Sequence, residues 1–180
     1  MKKFDFYSVF LHAALVVLCA TTLLLAQENR KMRQMMEPAP SGPMVGQGIE
    51  PIQWLPLDGE TENLELSGDR ESFLLVFTTD CPSCRENQGA WGDLYRNVGE
   101  TANVVGISLS ELDATRGYRE THNLPFEVGV PTEPRKLADT LGISAVPMTI
   151  RVGADGRVLG SWSGVLSADL LSELSTAGRG

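Results

Sequence analysis

The chain has 180 residues, 42% hydrophobic and 21% charged, which suits one folded domain plus an appendage and excludes a disordered or collagen-like polypeptide. A formal net charge of −8 argues against a nucleic-acid binder, which needs a basic face for phosphates. Three cysteines are too few for a disulfide-stapled miniprotein, and two histidines leave little scope for a histidine-rich metal site.

The charge is uneven. Residues 1–44 carry five basic and three acidic side chains, residues 45–180 ten and twenty. After a short N-terminal tail (1–5), residues 6–26 read FYSVFLHAALVVLCATTLLLA, with no charged side chain while His12 is neutral. As a helix this run reaches about 31 Å, enough to cross a bilayer core. A cleaved signal peptide is the competing reading, with Lys2 and Lys3 as its basic region. The run is too long for that, and Leu24 stands where a small residue is needed for cleavage. Leu18 before Cys19 likewise disfavours a lipoprotein. The sequence therefore predicts an uncleaved, single-pass signal-anchor. Lys2 and Lys3 on one side and Arg30, Lys31 and Arg33 on the other leave its orientation nearly balanced. Residues 27–48 read as a linker: a short helical continuation with Met32, Met35 and Met36, then a spacer broken by Pro38, Pro40 and Pro43.

Residues 49–180 carry the soluble domain. Ile49 to Leu66 predicts two short strands around the Asp58-Gly59 turn. Ser72 to Thr78 is a continuous apolar run, the mark of a strand buried on both faces. A helix follows Cys81, with Ala90, Trp91, Leu94, Tyr95 and Val98 on one face. Then come a strand (103–109), a polar helix (111–123), a strand (126–130) and a helix (134–141) ended by Gly142. Strands at 148–152 and 157–162 flank the Ala154-Asp155-Gly156 turn, and 168–174 closes the chain as an amphipathic helix. Strands alternating with helices, then a hairpin, predict an α/β domain with a mixed central sheet flanked by helices and a β-rich N-terminal extension.

The chemistry centres on Cys81-Pro82-Ser83-Cys84, where a buried strand gives way to a helix. Free amides and the positive dipole end at a helix N-terminus favour a thiolate at Cys81. Two intervening residues put Cys84 one turn on, able to attack a mixed disulfide formed at Cys81. Pro82 is tolerated in the first turn because no amide is needed there. A zinc site fails for want of ligands: two cysteines and His122 are all the domain offers. Val146-Pro147, directly before the 148–152 strand, reads as a cis-proline loop packed beside the cysteine pair.

The anchor, the β-rich opening, strand-CPSC-helix and GISAVPMTIRVGADGRVLGSWSG together resemble the TlpA/ResA-like membrane-anchored thioredoxins. The resemblance spans roughly residues 45–176. It implies a thioredoxin-like fold, Cys81 as attacking thiol, Cys84 as resolving thiol, Pro147 as cis-proline and Val146 as the backbone that pairs with substrate. It also implies an inner-membrane protein facing the periplasm, or an equivalent extracytoplasmic side. There it reduces selected protein disulfides without an organic cofactor, drawing electrons from a membrane thiol reductase. The chain departs from the pattern at Leu75 and Asn87, where carboxylates are frequent, and at Asp80, where a tryptophan is usual. Asp80 is expected to oppose the helix dipole by like-charge repulsion with Cys81. A peroxiredoxin-like peroxidase and a copper carrier on the same fold are the alternatives. Trp91 is the tryptophan nearest the motif, His122 is expected at the surface, and the acidic stretch 58–71 is expected as a solvated face.

Overall fold

The computed structural model describes residues 6–35 and 41–177, in two compact units divided after Pro40. The tail (1–5) and residues 36–40, with Met36 and two spacer prolines, lie outside the described residues, as do 178–180.

The first unit is one helix, α1 (Phe6–Met35), so the predicted helical continuation beyond residue 26 is present. Its described apolar side chains, from Phe10 through Leu15, Val16 and Val17 to Leu25, are well over half exposed. Among the described residues, no helix is long and apolar enough to cross a membrane.

The second unit contains β1 (Ile52–Pro56), β2 (Glu62–Leu64), β3 (Ser72–Phe77), α2 (Pro82–Val98), β4 (Asn103–Ser108), α3 (Leu112–His122), β5 (Glu127–Pro131), α4 (Pro134–Thr140), β6 (Met148–Val152), β7 (Val158–Ser163) and α5 (Ala168–Ala177). The strands form one mixed sheet in the order β2-β1-β5-β4-β3-β6-β7. Strands β3, β4 and β5 are parallel, while β6, β7, β1 and β2 join antiparallel to their neighbours.

All six residues of β3 are buried, as its unbroken apolar run requires. Side-chain alternation divides them between two cores. Phe73, Leu75 and Phe77 pack with Trp91, Leu94 and Val98 of α2, Tyr118 of α3 and Leu174 of α5. Leu74 and Val76 face Val105, Ile107, Met148, Ile150 and Leu141 on the other side, with Leu137 of α4 against them. The register pairs Phe77 with Ser108 and Val76 with Met148, so the chain leaving β3 meets the chain entering β6. That meeting point positions the site.

Three local expectations change. Residues 41–48, assigned to the spacer for their proline and glycine content, are tied to the folded unit: the amides of Gly42 and Gly46 donate to the carbonyls of Gly142 and Val158, and Ser161 Oγ donates to the Pro43 carbonyl. Backbone hydrogen bonds to β7 hold this segment despite a composition that discourages regular structure. His122 is half-buried, because the end of α3 lays its ring 4.5 Å, centroid to centroid, from that of Tyr118. The acidic stretch is not wholly free in solvent. Glu71 holds Arg151 by two hydrogen bonds of 2.8 and 2.9 Å, and Asp58 pairs with Arg119.

Gly129 marks where the sheet is tightest: a methyl group there meets the buried Trp54 ring and lies 2.8 Å from the Leu55 carbonyl oxygen. Gly129→Ala should therefore cost about 2 kcal/mol in urea denaturation, whereas Gly89→Ala, in an open position on α2, should be neutral or stabilise by up to ~1 kcal/mol.

Candidate active site

Four residues separate the end of β3 from the start of α2, and Cys81 is the last of them. Its extended backbone (φ −80°, ψ 117°) makes it the N-cap, with Pro82 in the first turn. Its sulfur takes the place of a capping oxygen and accepts a hydrogen bond from the Cys84 amide at 3.2 Å. The same sulfur faces the Val146 carbonyl oxygen at 3.6 Å. Val146 opens the cis Val146–Pro147 peptide ahead of β6. Cys81 is half-buried, Pro82 and Ser83 are exposed, and Cys84 is wholly buried; both cysteines are free thiols.

The two thiols are chemically unequal. Burial pushes the Cys84 thiol from an ordinary 9.0 up to about 12, reinforced by its hydrogen bond with Cys81 and the nearby charges of Cys81 and Asp80; a backbone hydrogen bond at Thr78 pulls the other way. Cys84 is thus a protonated thiol at neutral pH. Its surroundings are apolar, with Phe77, Trp91 and Tyr118 in the same core. Among the described residues the buried polar side chains are hydroxyls and one amide, that of Asn87, so no buried carboxylate takes the Cys84 proton. Leu75 is fully buried in this core, and Asn87 uses its Oδ1 to accept from the Leu166 amide at 2.9 Å. The Asn87 amide nitrogen has no hydrogen-bond partner among the described residues.

The structure brings the sequence-predicted residues Cys81, Pro82, Ser83, Cys84, Val146 and Pro147 to one end of the sheet, with Asp80 exposed beside them. Trp91 lies behind the pair, its indole donating to Thr149 Oγ1 at 2.9 Å and so joining α2 to β6 below Pro147. Several supporting residues were not singled out from sequence. Thr149 sits in an apolar strand pattern, where a lone threonine is the signal of a buried hydroxyl. Tyr118 and Gln88 are joined by a 2.5 Å hydrogen bond, and burial raises the phenol so that it stays protonated. Ser110 accepts from the Thr79 amide at 3.0 Å, steadying the turn before Cys81. Tyr118 and Ser110 are distant in sequence from the motif and have no local pattern that points to it.

No family model matches the chain, and no curated protein matches its sequence. Solved structures do match. The thioredoxin domain of a thiol-disulfide oxidoreductase from Bacteroides vulgatus is 14% identical, with a TM-score of 0.66, covering 75% of this chain and 98% of that one. The chain has a thioredoxin-like fold. StoA from Bacillus subtilis is 15% identical, with a TM-score of 0.55, covering 76% and 98% of the two chains. A secreted disulfide oxidoreductase of Mycobacterium tuberculosis, homologous to DsbE of E. coli, is 18% identical, with a TM-score of 0.58 and coverage of 69% and 94%. At these identities the likeness is one of fold, and the thioredoxin-like frame is what puts a helix N-terminus and a proline loop at the same end of the sheet.

The burial difference predicts selective chemistry. At pH 8, iodoacetamide should label Cys81 of the native chain and spare Cys84, as read by mass spectrometry; equal labelling refutes the assignment. The folded-state value near 12 lies above the ordinary 9.0, so the stability that the neutral Cys84 thiol lends is complete below about pH 9 and lost as pH rises towards 12. Unfolding stability should accordingly decline less steeply over that window in Cys84→Ala than in the native chain.

Proposed function

We propose that this chain is a membrane-tethered, extracytoplasmic thiol–disulfide oxidoreductase that reduces disulfides in selected proteins. The observation that carries the reading is the geometry at Cys81. One accessible sulfur caps a helix, 3.2 Å from the amide of a buried partner cysteine and 3.6 Å from a proline-loop carbonyl. The Cys81 thiolate attacks one sulfur of the substrate disulfide, whose other sulfur departs as a thiolate and takes a proton. Cys84, one turn on, then gives up its proton and attacks the Cys81 sulfur. The second substrate sulfur leaves as a thiol, and the protein holds a Cys81–Cys84 disulfide. Two electrons have passed to the substrate.

The Val146 backbone supports a protein substrate. Its amide has no hydrogen-bond partner among the described residues, which leaves it available to an extended segment lying across the proline loop. The anchor rests on the uncharged run 6–26 within α1. The secreted location named for the Mycobacterium tuberculosis structure supports a site outside the cytoplasm. A tether would raise the effective concentration of the dithiol toward partners held at the same membrane, a thiol reductase supplying electrons among them.

Cys84→Ser should accumulate a mixed disulfide with substrate, visible on a non-reducing gel, while Cys81→Ser should form none. The dithiol's reduction potential is expected near −250 mV or lower, as a dedicated reductant requires, by alkylation across a graded redox buffer; a value of about −120 to −180 mV would make the protein an oxidant or isomerase instead. Full-length chain expressed in a bacterium should stay in the membrane fraction after an alkaline carbonate wash. Release into the supernatant would overturn the tether and leave the redox reading standing.

A further inference from the structure

We propose that Asp80 sets substrate choice, making the dithiol act preferentially on disulfides flanked by cationic side chains. This inference rests on the redox reading above and adds the substrate's charge to it.

Asp80 directly precedes the attacking cysteine and is exposed. It has no ion pair among the described residues, although Arg96, Arg116, Arg119, Lys136, Arg151 and Arg157 are each matched with a carboxylate. One turn along α2, the exposed Arg85 and Glu86 carry opposite charges, so the first turns of that helix add no net charge to that of Asp80. Its field extends as deep as Cys84. Around it, residues 45–180 carry ten basic against twenty acidic side chains, a field that draws cations toward the domain.

The chemistry makes that charge count. When the Cys81 thiolate attacks, its negative charge spreads over three sulfurs in line, beside the residue that precedes it in the chain, Asp80. An anionic substrate adds a further repulsion at that moment, and a cationic one offsets what Asp80 imposes. The bonds made and broken are those of the exchange already described; only the charge beside them differs.

The test uses the reduced full-length chain and three small disulfides: cystamine with two ammonium groups, 3,3′-dithiodipropionate with two carboxylates, and neutral 2-hydroxyethyl disulfide. Rates are divided by those of dithiothreitol with the same compounds, which removes differences between leaving groups, and the cation-to-anion ratio removes any change in the reactivity of Cys81 itself. A unit charge ~6 Å from Asp80 shifts each rate about 3-fold in water, so the native ratio should exceed that of dithiothreitol by about 10-fold at low salt and shrink as salt is added. Asp80→Asn should bring it to within about 2-fold of dithiothreitol, and Asp80→Lys should invert it. A native ratio equal to that of dithiothreitol, or one unchanged in Asp80→Asn, overturns the role of Asp80 while leaving the oxidoreductase intact. Failure to reduce even the neutral disulfide sinks both.

Discussion

The Cys84 amide donates to the Cys81 sulfur across the first turn of α2, and this bond exists because of what precedes it. Strand β3 is buried on both faces, so its path is fixed by two cores at once. The chain leaves Phe77 at the end of the sheet and has four residues in which to turn and begin a helix. Whatever stands fourth must cap that helix. With cysteine there, the sulfur is committed by the fold to free amides on one side and, through the pairing of β3 with β6, to the Val146 carbonyl on the other.

From that constraint follows the division of labour between the thiols. Capping requires Cys81 to stay at the lip, where a second disulfide can reach it. Helical periodicity then carries Cys84 inward, among Phe77, Trp91 and Tyr118. Burial keeps Cys84 protonated, which suits the exchange proposed above, in which Cys81 reacts first. The Trp91–Thr149 hydrogen bond joins the helix bearing the cysteines to the strand that follows the proline loop, so that α2 and β6 hold their places together.

The sequence made the backbone of this arrangement legible, since apolar continuity in β3, Pro82 after Cys81 and the turn dipeptides are local signals. The cis proline loop could be paired with the cysteines because both lie at strand ends, where α/β sheets gather their sites. What escaped was non-local. The Asn87–Leu166 and Gln88–Tyr118 contacts join residues 79 and 30 positions apart, and no periodicity announces them. Residues 41–48 were misleading for the opposite reason: proline and glycine argue for a spacer, yet glycine's φ of +116° at Gly42 and +85° at Gly46 also lets a backbone turn back and bond to a neighbouring strand.

That docked segment has a consequence for association. An open sheet exposes unpaired amides and carbonyls at its outermost strands, where other chains can add. Beside β7 the position is taken: Gly46 and Gln47 exchange backbone hydrogen bonds with Val158, and Gly48 bridges Arg157. At the far side β2 has only three residues, with Glu62 and Asn63 exposed, too brief and polar to template a partner. The start of β7 and the whole of β2 are thus poorly placed for strand addition, and under the proposed function an extended substrate would instead use the backbone of the proline loop.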